Sequence, residues 1–394
     1  MREGQARPAP PGISAELWRR TLRLADIVER HRAEIADTRR LPEAVAAAFL
    51  EGDIYRLLVP RDMGGGGIGP IEQFDLVEEI SSRDASAGWN YAVGSGLGIF
   101  AGFLPRDEAE RIFSREGAAM AGSGAPQGKA HRVEGGYRIE GTFGWASGID
   151  QAQWVYGGCF IHEDGAMARD DHGQPMAVLV FAPRAQAIVH DSWHVNGLVA
   201  TNSTQFTLDN VFVPLARSFR APWQAPLHPS PLFRLPRTFF GFALTGVPLG
   251  VARASVEALR ALGAAKSPAR GGGVANAAFA HYAVAKAEAL VESARLLARA
   301  GFAEIWDMVQ AGGEAGPEQC ARSRRACVHA AEASLEAVNL CYRAAGGAAL
   351  FASAPFEAAV RDVSAMNGHL VFQRAMMEDA GRVAFGLPPL LPNF

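Results

Sequence analysis

Cysteine is scarce: Cys159, Cys320, Cys327 and Cys341 are the only four in 394 residues, and no two have Cys-x-x-Cys spacing. That excludes a disulfide-stapled secreted scaffold and a zinc ribbon, and leaves four buried free thiols as the expectation. Neither sign of charge is in excess. With a net charge of −3, the chain lacks the basic footprint of a nucleic-acid binder. No run approaches ~18 uninterrupted apolar residues. The first 14 residues form a proline-rich polar arm without the apolar core of a secretion signal. A cytoplasmic location without membrane or nucleic-acid partners is the expectation. What is present is ordinary globular material, 49% apolar and 20% charged, in a chain long enough for two or three domains around connected cores.

The texture changes twice along the chain. From Ser14, a residue fit to cap a helix, Leu17, Leu22, Leu24, Ile27 and Val28 recur at helical spacing. Pro42 opens an alanine-rich helix, and Pro105 stands where another begins. Residues 131–141 then carry two short runs around Gly135-Gly136, a hairpin signal. Strand-like runs follow at 154–161, 176–182, 187–193, 204–209 and 211–214. Beyond Leu235, long stretches at roughly 237–264, 274–311, 317–347 and 355–385 return to helical period. The expected division is a flexible arm over 1–13, a helical domain over 14–116, a central β-domain of sandwich or barrel type over 117–232, and a four-helix bundle over 233–394. The fold class is mainly α with a central β-domain.

Several motifs carry nothing. Gly94-Ser-Gly-Leu-Gly98 lacks the third glycine of a dinucleotide loop, and small residues for close helix packing explain it as well. No Gly-Lys-Ser/Thr follows the glycines 64–67. His190 and His194 flank a strand end, where residues four apart need not converge on a metal. No GxSxG elbow or zincin helix is present; no metal is expected.

The informative cluster is Gly141-Thr-Phe-Gly-Trp-Ala-Ser-Gly148. Trp145 and Ser147, two apart on a strand, would offer a flat apolar face and a hydroxyl to one planar ligand. Around it, in order, stand Gly122-Ser-Gly-Ala-Pro-Gln-Gly128, the segment 191–214, Tyr342-Arg-Ala-Ala-Gly-Gly347 and the pair Arg361-Asp362. Together these resemble the acyl-CoA dehydrogenase superfamily over roughly residues 15–390. The resemblance implies a flavin with Trp145 on its ring, the Ser147 hydroxyl near N5 or O4, and further contacts from Gly148, Ser123, Ala125, Gln127, Gly346 and Gly347.

Two departures point to one branch of that superfamily. A dehydrogenase needs a carboxylate to take the α-proton, and many relatives carry it shortly after the Arg-Asp pair. Here no carboxylate follows Asp362 until Glu378, and His369 stands in that place. This is similar to the two-component flavin-dependent monooxygenases typified by p-hydroxyphenylacetate hydroxylase and dibenzothiophene monooxygenase. In that branch a histidine here faces flavin C4a and protonates or stabilises a C4a-hydroperoxide. A histidine can also change charge near neutral pH. The second departure is Lys266-Ser-Pro-Ala269, where dehydrogenases have an Arg-x-x-Phe signature. The cation remains and the phenylalanine does not.

The resemblance therefore implies an oxygenase component that takes reduced FMN or FAD from a separate NAD(P)H:flavin reductase, uses molecular oxygen, and oxygenates a small hydrophobic or aromatic compound. His369 and Ser147 are the expected catalytic residues. Trp89, Phe100, Phe103, Phe239 and Phe240 are candidate walls of a substrate cavity where the domains meet. The alternatives are a dehydrogenase or flavin oxidase with its base elsewhere, and a non-catalytic binding homologue. Alanine-rich faces within 274–300 and 321–348, with the paired bundles of relatives, imply a homotetramer.

Overall fold

The computed structural model describes residues 8–221, 224–236, 241–264 and 274–391. Six helices come first: α1 (Ala15–Arg30), α2 (Arg32–Asp37), α3 (Glu43–Glu51), α4 (Pro70–Ser81), α5 (Ala85–Gly96) and α6 (Arg106–Ile112). Their starts follow local chemistry. Ser14 Oγ accepts the Leu17 N–H (3.2 Å) ahead of α1, Pro70 opens α4, and the Asp84 carboxylate accepts the Ala87 N–H (2.8 Å) ahead of α5. A Cβ on Gly94 would sit 2.7 Å from the Tyr55 ring, and one on Gly98 3.1 Å from the Val59 nitrogen. Close packing thus accounts for this glycine-rich stretch.

Eight strands form one sheet: β1 (Met120–Val133), β2 (Gly136–Phe143), β3 (Trp154–Glu163), β4 (Ala166–Met167), β5 (Ala177–Pro183), β6 (Ile188–Val189), β7 (Phe206–Pro214) and β8 (Ser218–Ala221). The order is β6-β7-β2-β1-β3-β5-β8, with β4 on β3. β1 and β2 form the hairpin, Val133 opposite Gly136, and Gly135 takes the left-handed conformation (φ 75°) that its tight loop requires. Runs 204–209 and 211–214, expected as two strands, make the single β7, and only Ile188–Val189 of 187–193 pairs as strand. The β1–β3 pairing is parallel and slips on either side of Pro126, because proline has no N–H for the ladder.

The bundle comprises α7 (Gly241–Ala264), α8 (Ala278–Gln310), α9 (Pro317–Ala345), α10 (Phe356–Met366) and α11 (Arg374–Ala384). The stretch 355–385, expected as one helix, is two. Asn367 and Gly368, poor helix formers, end α10, and His369 is extended (ψ 141°) before a 3-10 turn at Leu370–Phe372. Helix α7 is long and apolar enough to span a membrane by length and composition, but most of it is buried.

The first helices and the bundle share one core, and the sheet encloses a second around Phe143 and Phe206, stacked at 5.1 Å. Buried carboxylates lock α4 to the bundle. Asp75 and Glu78 face Arg295 (2.9 and 2.6 Å), and Glu78 and Glu79 face Arg253 (3.2 and 3.0 Å). Removing one partner of such a set strands a buried charge, which costs about 3–5 kcal/mol.

Candidate active site

The segment after β2 turns sharply. Strand β2 ends at Phe143, and the Gly144 N–H donates to Gln127 Oε1 (2.7 Å). Trp145 then takes a left-handed conformation (φ 65°), uncommon for a bulky residue and a marker of strain. Trp145 and Ser147 are therefore not two apart on a strand, as the sequence suggested. The kink sends them to different surroundings: the indole is 68% exposed and meets Trp193 edge-on at 6.0 Å, whereas Ser147 is buried.

Ser147 lies where three parts of the chain meet. Its Oγ accepts the Trp89 indole N–H from α5 (3.2 Å) and bonds Ser203 Oγ (2.6 Å). Ser203 Oγ bonds Thr201 Oγ1 (2.7 Å), and Thr201 Oγ1 donates to the Leu198 carbonyl (2.8 Å). The Trp89 ring also meets the His369 imidazole edge-on, centroids 5.4 Å apart. His369 Nδ1 accepts the Val371 N–H (3.3 Å), which leaves the ring proton on Nε2. Packing against Trp89 and Phe372 removes water from the imidazole and pushes it down to about 4. It is thus neutral at pH 7. The charge switch expected near neutrality is replaced by a fixed neutral donor.

The loop 198–203 is held from every side. Leu198 (φ 54°) and Asn202 (φ 40°) are both left-handed. The Leu198 N–H donates to Asp362 of α10 (2.7 Å), and the Ala200 N–H donates to Ser86 of α5 (3.2 Å). Asn90 Nδ2 donates to the Ala200 carbonyl (3.3 Å), Asn202 Nδ2 to Asp150 (2.8 Å), and the Gly148 N–H to the Thr201 carbonyl (2.9 Å). Arg361 beside Asp362 donates to the Asn196 carbonyl. Burial pushes the Asp362 carboxyl up to about 7, against the Leu198 N–H, which favours its charged form.

The other expected site residues divide. Ser123, Ala125 and Gln127 lie on the slipped part of β1, the last two exposed, and Gln127 reaches the Trp145 turn through Gly144. Gly148, also left-handed (φ 76°), faces Asn90. Gly346 (φ 57°) and Gly347 are exposed after α9, with no neighbour within 4 Å of where a Cβ would stand. Phe100 is 2% exposed inside a cluster of Tyr156, Phe181 and Phe219, with Phe103 against Phe219 and Phe233. Aromatic packing engages both residues on these sides. Phe239, Phe240 and Lys266 lie outside the described residues. Glu378, the next carboxylate after Asp362, pairs with Arg374 (2.9 Å) in an exposed i,i+4 bridge. Sequence reading missed Thr201, Ser203, Ser86 and Asn90, since polar residues of a loop carry no periodicity to mark them.

Residues 242–374 match the family model described as "Acyl-CoA dehydrogenase, C-terminal domain". The chain is 28% identical to an indole-3-acetate monooxygenase of Pseudomonas putida, over 92% of each chain. It is likewise 28% identical to the FADH(2)-dependent resorcinol hydroxylase, oxygenase component, of Rhizobium sp., over 97% of each. The solved structure of XiaF from Streptomyces sp., in complex with FADH2 and glycerol, superposes with a TM-score of 0.88, 21% identity, and 96% and 97% coverage of this chain and that one. The C-terminal part of the chain thus resembles an acyl-CoA dehydrogenase C-terminal domain, and the whole chain shares the fold of XiaF. Its helical, β and helical order is that fold, and the Ser147 cluster lies where the three parts meet.

Proposed function

We propose that the chain is the oxygenase component of a two-component, reduced-flavin-dependent monooxygenase acting on a small aromatic or hydrophobic compound. One observation carries the reading: a neutral imidazole, His369, packs on the tryptophan that bonds Ser147, where a dehydrogenase needs a carboxylate base. The nearby carboxylates are otherwise engaged, Asp84 by the Ala87 N–H and Asp362 by the Leu198 N–H. That disfavours a relocated base. The names of the indole-3-acetate and resorcinol relatives support an aromatic substrate and, for the latter, FADH2.

The residues fit a flavin. Trp145 offers an exposed indole face, Gln127 and the slipped β1 backbone lie beside it, and Ser147 keeps one lone pair free after its two bonds. Reduced FMN or FAD, when bound, supplies the electrons that activate molecular oxygen. Trp145 would hold the ring system against its exposed indole, and Ser147 would orient its polar edge. Trp89 seals the cluster against water, and His369 offers its neutral Nε2–H as a hydrogen-bond donor beside the reacting oxygen. Exposed Phe279, Tyr282 and Leu296 on α8 supply apolar surface for a homotetramer. All eight alanines of α9 are buried within the chain itself. A separate NAD(P)H:flavin reductase and a cytoplasmic location complete the proposal.

The test supplies chemically reduced FMN or FAD anaerobically, then admits oxygen with indole-3-acetate or resorcinol as probes. The expected result is a product carrying one atom from O2. Reduction of protein-bound oxidised flavin by an acyl-CoA would overturn it.

A further inference from the structure

We propose that Thr201 and Ser203 set the hydrogen-bonding polarity of Ser147 and thereby make the site select reduced over oxidised flavin; this rests on the flavin reading above. The argument is a count of protons along four oxygens. The Leu198 carbonyl can only accept, so the hydroxyl proton of Thr201, 2.8 Å away, lies between them. Thr201 has no second proton. The 2.7 Å contact between Thr201 and Ser203 must then use the proton of Ser203. By the same step, the 2.6 Å contact between Ser203 and Ser147 uses the proton of Ser147. Ser147 also accepts the Trp89 indole N–H. A serine hydroxyl has one proton and two lone pairs, so Ser147 is left with one lone pair and no proton to offer.

That remainder discriminates between the two redox states. Oxidised flavin presents acceptors at both N5 and the C4 carbonyl, and a bare lone pair faces either unfavourably. Reduced flavin carries N5–H, a donor that a lone pair accepts. The relay therefore favours N5 of the reduced form as the partner of Ser147. Its direction is anchored at a carbonyl that cannot reverse: the Leu198 oxygen also accepts the Thr201 N–H (3.1 Å) and the Trp193 indole N–H (3.3 Å). Thr201 and Ser203 are thus positioning residues that act on the cofactor through Ser147.

The test compares dissociation constants of reduced and oxidised FMN and FAD under anaerobic conditions, together with the midpoint potential of the bound flavin. Wild type is expected to bind the reduced form more tightly. Thr201→Val, close in shape but without the hydroxyl, frees the protons of Ser203 and Ser147 to turn outward. The ratio of oxidised to reduced dissociation constants should then fall by about tenfold, the scale of one buried hydrogen bond. For a two-electron couple that is a drop of about 30 mV in midpoint potential. Thr201→Ser should restore both values. Ser203→Ala cuts the relay one link nearer and gives the same readout if the valine variant does not fold. An unchanged ratio in either folded variant, with both flavins still bound, overturns the relay alone. Failure of wild type to bind either redox form overturns the flavin reading itself.

Discussion

His369 is the residue on which the proposed chemistry turns, and its geometry dictates how it should be tested. The imidazole caps a 3-10 turn through Nδ1 and carries its proton on Nε2, so an alanine would remove both a cap and a donor. Loss of a cap alone costs about 1 kcal/mol. Asparagine keeps a side-chain acceptor for the Val371 N–H and lacks the imidazole, so His369→Asn separates the two roles. With the imidazole near 4, only about one ring in a thousand is charged at pH 7. Hydrogen-bond donation by the neutral ring should then be flat from about pH 6 to 8 in wild type. Positioned acid-base groups contribute about 100- to 10,000-fold. In His369→Asn, the ratio of oxygenated product to hydrogen peroxide should fall by at least about 100-fold at pH 7, with chemically reduced flavin and an aromatic probe. Melting temperature should hold within a few degrees, whereas His369→Ala should lose both coupling and stability. A folded asparagine variant that keeps the wild-type ratio would reduce His369 to a cap and refute the reasoning.

Ser147→Ala should weaken reduced-flavin binding by about tenfold, the value of one buried hydrogen bond, as read by anaerobic fluorescence titration; unchanged affinity would remove Ser147 from the cofactor site. Asp362 gives a pH signature. Its folded value of about 7 lies above the ordinary carboxylate value, so its protonation supports the fold at low pH and that support is lost as pH rises from about 4 through 7. Asp362→Asn keeps an acceptor for the Leu198 N–H and stays neutral, so its melting temperature should gain on wild type between pH 5 and 8; a constant difference would show that Asp362 does not titrate there. Gly148→Ala meets both a left-handed backbone (φ 76°) and Asn90 Oδ1 at 3.1 Å, and should destabilise by more than about 1 kcal/mol in urea unfolding. Sedimentation at micromolar concentration should give four times the chain mass; a monomer would remove the tetramer.

Much of the architecture was legible because it rests on repeating patterns. Ser14 before an amphipathic run and Gly135 between two short runs are local signals with local causes, and the structure uses both as caps and turns. The break at His369 was not legible as periodicity, since 355–385 keeps a helical pattern on both sides. Only Asn367-Gly368 marks it, and such a pair is tolerated in many helices. Trp145 and Ser147 were readable as a pair, but not their divergence, because a positive φ at tryptophan is imposed by the surrounding fold rather than by its own preference. Thr201 and Ser203 left no trace for the same reason: their hydroxyls matter through Ser147, which lies 56 residues before Ser203 in the chain.

What joins these particulars is the loop 198–203, which has no regular strand or α-helix of its own yet is bonded by Ser86 and Asn90 from α5, by Asp150 after β2, and by Asp362 from α10. The first helices, the sheet and the bundle therefore all bear on the hydroxyls that end at Ser147. A displacement of α10 would move the Leu198 N–H and, through the same residue, the carbonyl that fixes the relay's direction. Two left-handed non-glycine residues, Leu198 and Asn202, are an unfavourable way to build a connection, at about 1–3 kcal/mol each. They persist because the surrounding bonds over-determine them. Strain held in this way where helices and sheet meet belongs to a loop whose geometry, rather than its stability, is what the fold maintains.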